Sequence, residues 1–103
     1  MQEMDALFRR VDVLLSPASC DRMTTIGNMT GQPCLTIRAG FAQHRTRAMP
    51  AFLHAKMQEM EGPVRTVPQA MTIVAPLFDE AAAFTLGCAL EAALAVADRR
   101  PEI

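Results

Sequence analysis

The sequence has no tryptophan and no tyrosine, and it holds only one lysine, Lys56, and two serines, Ser16 and Ser19. Neither serine lies in a G-x-S-x-G turn, and no glycine-rich loop could supply an oxyanion hole. A catalytic nucleophile needs a hydroxyl or thiol that a neighbouring base activates. We therefore expect no autonomous Ser–Lys site and no catalytic residue in this chain.

Long apolar runs and clustered charge are also missing. Charged, polar or proline residues interrupt every apolar stretch before the roughly 18 positions of a membrane span, and no basic-then-apolar leader opens the chain. The net charge of -1 gives no electrostatic case for nucleic acid binding. The three cysteines form no C-x-x-C pair, which indicates a reducing compartment. We expect a cytoplasmic protein that binds neither membranes nor nucleic acids.

The residues that are present favour one α/β domain. The chain has 103 residues, half of them hydrophobic, which excludes intrinsic disorder and suffices for a single domain. Apolar runs predict three strands, at residues 11–15, 34–38 and 70–75, the second of them stopped by Ala39-Gly40. Because these runs are almost continuously apolar, they are typical of strands buried on both faces, as in a parallel sheet covered by helices.

Three helices are predicted around these strands. The first is short and spans residues 4–11, and another short one lies within residues 18–33. The strongest helical pattern covers residues 80–98, with Asp79 as N-cap rather than as half of a catalytic Asp79-Glu80 pair. This helix is apolar nearly all round, so we expect Cys88 to be packed. Three strands offer it too little partner surface, so the chain either oligomerises or is a piece of a larger molecule.

Residues 42–66 differ in character from the rest of the chain. Gln43, His44, Arg45 and Arg47 predict a polar loop, and Pro50 suits the first turn of a helix that Gly62-Pro63 would end. We interpret this segment as a surface insertion in a region that otherwise spans residues 1–103 as one unit.

The sequence contains no pattern typical of a metal site or a cofactor-binding site. The candidate ligands Cys20, Cys34, His44 and His54 are separated by about ten residues each, without the close pairs of a zinc site. No phosphate loop or nucleotide fingerprint is present. The sequence therefore predicts neither a metal nor a cofactor.

Several motifs in order resemble the C-terminal part of the amidase signature family. Residues 12–17 form an apolar strand that ends in Ser-Pro, and residues 28–33 read Asn-Met-Thr-Gly-Gln-Pro. A strand then leads to Arg-Ala-Gly-Phe at residues 38–41, and Leu-Phe-Asp-Glu at residues 77–80 begins the last helix. The Arg-x-Gly-Phe pattern is closer to one amidase branch than to the glutamyl-tRNA amidotransferase A subunits.

The resemblance implies an α/β fold with a mixed central sheet, of which about three strands are present here, covered by helices. It also implies amide hydrolysis by a Ser, a cis-Ser and a Lys that belong to a segment before the matched region. Asp21 stands seven residues before Asn28, and the resemblance makes both of them candidate substrate-binding residues. Asp21 could instead cap a turn or helix. Asn28, Thr30 and Gly31 would shape a tight turn beside the pocket.

Two functional hypotheses follow. In the first, the chain is the C-terminal portion of an amidase and supplies sheet, closing helix and part of the substrate pocket. Its partner would be the N-terminal amidase portion, on the same chain or as a split enzyme, and the small-molecule amide would bind only to the complete enzyme. In the second, the chain is a non-catalytic α/β interaction module that forms a homo-oligomer.

Overall fold

The computed structural model describes residues 1–18, 22–45 and 63–100. These residues form three helices and three strands. In chain order they are α1 (Gln2–Phe8), β1 (Leu14–Pro17), α2 (Met23–Thr30), β2 (Cys34–Arg45), β3 (Val64–Val74) and α3 (Glu80–Leu94). The predicted α/β class is thereby confirmed.

The three strands form one sheet in the order β1-β3-β2. Both neighbouring pairs are antiparallel: Leu15 of β1 and Leu35 of β2 both lie opposite Ile73. The expected mixed sheet, and the parallel packing inferred from the apolar runs, are therefore wrong for these strands. A central antiparallel strand covered on both faces has the same continuous apolar run as a parallel strand, so the pattern could not distinguish them. The run in β1 is less buried than expected, because β1 is an edge strand and Leu15 is 56% exposed.

Strands β2 and β3 extend beyond their predicted ends. Between Arg38 and Gly40 the register shifts by a bulge, and β2 then continues to Arg45. Gln43 and His44 therefore lie in a strand rather than in the predicted loop, and Gln43 Nε2 donates to Thr66 Oγ1 at 2.7 Å across the pair. The predicted end of the strand at Ala39-Gly40 is therefore wrong, because these residues form a bulge within β2. Arg47, Pro50 and the predicted helix after it lie outside the described residues.

Helix α3 packs on one face of the sheet and forms the core there. Ala83 is buried with Ile37, Ile73 and Ala75. Gly87 allows the closest approach, because a Cβ at this position would lie 2.5 Å from Leu35 Cδ2. Helix α2 contacts the first residue of β2, since a Cβ at Gly27 would lie 2.9 Å from Cys34 Sγ.

The other side of α3 is apolar and uncovered within the described residues. Phe84 is 58% exposed, and Cys88, one turn later, is exposed as well, so the prediction that Cys88 is packed is wrong. We call this surface the outer face of α3; it consists of Ala81, Phe84, Cys88 and Ala92, all exposed. Helix α3 is therefore apolar nearly all round, as expected, but the sheet covers one side of it and leaves the outer face exposed.

The segment after α3 is held against β2 by contacts of Arg38 and Phe41. Arg38 Nη1 donates to the carbonyl of Ala97 at 3.2 Å and to that of Arg99 at 2.6 Å. The guanidinium groups of Arg38 and Arg99 also lie over the ring of Phe41. No helix among residues 1–18, 22–45 and 63–100 is long and apolar enough to cross a membrane.

The close approach at Gly87 gives a direct test of this packing. Gly87→Val should lower the free energy of unfolding by about 1–3 kcal/mol, because the added side chain must displace Leu35. Cys88→Val introduces the same β-branched side chain on the outer face of α3 and should change stability much less. Urea unfolding measures both; equal destabilisation would contradict the packing described here.

Candidate functional site

The Asn-Met-Thr-Gly-Gln-Pro motif spans the end of α2 and the turn that leads into β2. Gly31 terminates the helix in the left-handed conformation, with φ 80°, and its N–H donates to the carbonyl of Gly27 at 2.8 Å. Thr30 Oγ1 donates to the carbonyl of Ile26 at 2.7 Å. The predicted tight turn is therefore present at Thr30 and Gly31, and Asn28 lies exposed within the helix before it. Asp21 lies outside the described residues.

The next residue of the motif, Gln32, is buried, with 8% of its surface exposed. Its side-chain amide contacts the hydroxyl of Thr30. The contacting atom is the amide oxygen Oε1, which lies against Thr30 Oγ1. The amide nitrogen Nε2 of Gln32 is then the group that can donate a hydrogen bond elsewhere.

Gln32 lines a cleft of about 270 Å³ between three parts of the fold. The lining residues are Met1, Gln2, Asp5 and Phe8 at α1, Gln32 after α2, and Pro76 and Leu77 after β3. Its charged lining groups are the α-amino group of Met1 and the carboxylate of Asp5, whose Oδ2 lies 3.0 Å from Arg9 Nη2 in an exposed ion pair. The cleft is thus lined mainly by apolar side chains, with the buried amide of Gln32 and these two charged groups among them.

Backbone contacts hold the two turns of the cleft together. The N–H of Ala75, at the end of β3, donates to the carbonyl of Pro33 at 3.0 Å. A Cβ at Gly31 would lie 3.7 Å from Leu77 Cδ2, which is ordinary van der Waals contact. The turn after β3 then leads into α3, where Asp79 Oδ1 accepts from the Ala82 N–H at 3.2 Å. The predicted N-cap at Asp79 is confirmed.

Phe78 lies directly after the cleft residue Leu77 and is unusual in two ways. Its φ is 63°, a conformation that bulky residues rarely adopt, and its side chain is 90% exposed. Such backbone strain is most often kept where a residue has a functional contact. The site therefore presents an aromatic ring beside the cleft.

A row of hydroxyl groups crosses the sheet on one face. Ser16, Thr72 and Thr36 lie opposite one another on β1, β3 and β2, and the hydroxyl oxygens of Thr36 and Thr72 are 3.0 Å apart. Ser16 is buried and its hydroxyl donates to the carbonyl of Pro17 at 3.2 Å. Ser19 and Lys56, the other members of the Ser–Lys set considered from the sequence, lie outside the described residues.

The candidate metal ligands are only partly described. His44 is exposed on β2 and Cys34 begins the same strand, whereas Cys20 and His54 lie outside the described residues. In the part of the chain that the structure describes, no three His, Cys, Asp or Glu side chains are grouped so that they could hold a metal ion.

The sequence motif located one wall of the cleft but not the other. Gln32 occupies the variable position of the motif, so its burial beside Thr30 could not be read from the pattern. Gln2 and Asp5 were unremarkable polar residues of a short amphipathic helix. Their place at the cleft depends on how α1 packs against the two turns, for which no local signal exists.

The left-handed turn predicts a specific need for glycine. Gly31→Ala should lower the free energy of unfolding by about 1–2 kcal/mol, because a left-handed backbone disfavours a Cβ. Gly40→Ala is the matched control, since a Cβ there has no neighbour within 4 Å. Chemical denaturation compares the two variants, and an equal effect of both would argue against the turn.

The sulfur of Cys34 lies against Gly27, and burial raises the pKa of this thiol. Both Cys34 and Cys88 are exposed. Because only the thiolate is nucleophilic, the raised pKa should make Cys34 react with iodoacetamide more slowly than Cys88 at mildly alkaline pH. Peptide mass spectrometry separates these sites from Cys20. The difference should vanish in concentrated urea, and equal rates in the folded chain would contradict the contact with α2.

The chain was compared with protein-family models, with curated proteins and with solved structures, and none of them matches it. Its function is therefore inferred from its own residues, from the cleft they form and from the motif resemblance.

Proposed function

We propose that this chain is the C-terminal portion of an amidase, a carbon–nitrogen hydrolase, and that it supplies scaffold and one wall of the substrate pocket. The observation that carries the proposal is the Asn-Met-Thr-Gly-Gln-Pro motif. It forms a glycine-dependent turn, and that turn places the buried Gln32 in a cleft. A motif that the resemblance assigns to the pocket wall thus borders a cavity in this chain.

In this proposal the chain positions substrate and does not break the bond. The resemblance assigns the nucleophilic Ser, the cis-Ser and the Lys to the N-terminal portion. Asn28, exposed one turn before Gly31, and Asp21 remain the proposed substrate contacts from the resemblance.

The uncovered apolar surface supports the need for a further polypeptide portion. Phe78, Met29 and Phe84 are 90%, 82% and 58% exposed, in addition to the rest of the outer face of α3. Burial of apolar surface stabilises by about 25 cal/mol per Å², so these side chains would contribute to an interface. We propose that the N-terminal amidase portion covers them, in a reducing cytoplasmic compartment.

The same surface favours a second candidate, the self-associating module. In that case the outer face of α3 would pair with the same face of a second copy, and no amide would be hydrolysed. This candidate predicts a stable homo-oligomer with a cooperative thermal transition. If the chain is instead the C-terminal portion of an amidase, the isolated chain should expose apolar surface that binds a hydrophobic dye.

Co-expression decides between the two candidates. The chain would be produced alone and together with the polypeptide encoded directly upstream of it, and both preparations assayed against aliphatic and aromatic amides. We expect hydrolysis only from the co-expressed pair, with Ser16→Ala unchanged. Turnover by the chain alone that Ser16→Ala abolishes would overturn the proposal. A stable homo-oligomer that is inactive with the upstream polypeptide would favour the second candidate.

Phe78 gives a sharper test of the interface. Phe78→Gly should stabilise the isolated chain by about 1 kcal/mol, because glycine tolerates the left-handed backbone. It should nevertheless weaken association with the N-terminal portion about tenfold, since the exposed ring is lost. Both effects can be measured, by urea unfolding and by titration of the complex.

Ala95→Gly is the matched control for that variant. Ala95 has φ 52° at the end of α3, so glycine relieves the same kind of strain without removing an aromatic ring. It should stabilise the chain to a similar degree and leave association unchanged. If Phe78→Gly also left association unchanged, Phe78 would not be part of the interface.

A further inference from the structure

Two arginine side chains from distant parts of the chain converge on one aromatic ring. The guanidinium carbons of Arg38 and Arg99 lie 5.8 Å and 4.9 Å from the centroid of the Phe41 ring. Arg38 Nη1 also donates to the carbonyl of Arg99 at 2.6 Å, so the backbone of one arginine is held at the side chain of the other. We propose that Arg38 and Arg99, which we call the arginine pair, bind the dianionic phosphate group of a small molecule.

Most hydrogen-bond donors of the arginine pair have no acceptor in the described part of the chain. A guanidinium carries five N–H groups. The hydrogen bonds of Arg38 to described residues come from Nη1 alone, which donates to the carbonyls of Ala97 and Arg99. The guanidinium of Arg99 contacts the Phe41 ring and donates to no described acceptor. The remaining N–H groups of both side chains are therefore available to a ligand.

The strands beside the arginine pair carry no negative charge. Neither β2 nor β3 contains Asp or Glu, and the residues opposite Arg38 and Phe41 on β3 are Ala70 and Pro68. Within residues 1–18, 22–45 and 63–100, neither arginine forms an ion pair. Two cations beside the same ring repel each other, and a bound anion would remove this repulsion.

The segment after α3 adds no net charge to the site. Asp98 and Arg100 flank Arg99 in the chain, and both are exposed, so their charges offset each other. The C-terminal end of a helix disfavours anions, but this effect falls off within the last turn, and α3 ends at Leu94. The two guanidinium groups therefore determine the sign of the charge at this surface.

The charge and the donors of the arginine pair select phosphate over carboxylate. A planar guanidinium matches two oxygens of either anion. A carboxylate has a single charge and two oxygens, which one guanidinium satisfies, whereas a phosphate group has up to two charges and three oxygens for both. Arg38 is half-buried and fixed by its carbonyl and ring contacts, so ordering it on binding costs little entropy.

A series of anions tests the proposal on the full chain. Inorganic phosphate, methyl phosphate and acetate would be titrated at constant ionic strength, with the guanidinium Cζ resonances of all arginines observed by NMR. At a pH of about 7.5, where phosphate groups are mainly dianionic, we expect both phosphates to shift Arg38 and Arg99 and to bind about tenfold more tightly than acetate. Equal binding of acetate, failure of methyl phosphate to bind, or equal shifts at Arg65 would overturn the inference.

A charge-matched pair of variants then assigns the site. Arg99→Gln removes one guanidinium but keeps the backbone carbonyl that binds Arg38, so phosphate affinity should fall about tenfold without loss of the fold. Arg65→Gln makes the same charge change at an exposed position of β3 and should leave the affinity unchanged. Unchanged affinity in Arg99→Gln, or an equal loss in Arg65→Gln, would contradict a specific site.

Arg99→Lys separates hydrogen-bond geometry from charge. It keeps the positive charge and loses the planar guanidinium, so phosphate should bind more weakly than to the unmodified chain while acetate binding changes little. Equal phosphate affinity of the two chains would overturn the role of the guanidinium. The arginine pair does not line the cleft, so amide hydrolysis by a co-expressed complex and phosphate binding are independent outcomes.

Discussion

The end of β3 and the residue after it are the constraint on which the rest of the structure depends. Ile73, Val74 and Ala75 have no exposed surface. Strands β1 and β2 flank Ile73 and Val74, and α3 covers one face of the sheet there. The same residues fix the functional end of the molecule, since Ala75 donates its N–H to Pro33 of the motif turn. Packing of one strand thus determines both where α3 lies and where the two turns of the cleft meet.

Local patterns in the sequence predicted local structure, and tertiary contacts decided the rest. The N-cap at Asp79 and the glycine turn at Gly31 depend on neighbours within a few residues, so the sequence was sufficient for them. Strand direction was not predictable, because a covered central strand is apolar in either direction. The exposure of Cys88 was mispredicted because periodicity shows that a face is apolar and does not show whether anything covers it. The α1 side of the cleft likewise exists only through packing between distant elements.

Phe78 combines a strained left-handed backbone with an exposed aromatic side chain. A left-handed backbone is unfavourable for a bulky residue, and an aromatic ring that is 90% exposed gains nothing from burial. Glycine would remove both penalties in a domain that acts alone. Ala95 has a similar φ but only a methyl group, so the helix end explains it without a partner. We therefore propose that the ring of Phe78 is a contact for a further polypeptide portion.

The turn after β3 would then join the cleft to the proposed interface. Leu77 lines the cleft and Phe78, the next residue, presents its ring outward, so a partner that covers Phe78 must lie at the rim of the cleft. In the proposed complex the partner that buries the ring of Phe78 would therefore also form the wall of the cleft beside Leu77.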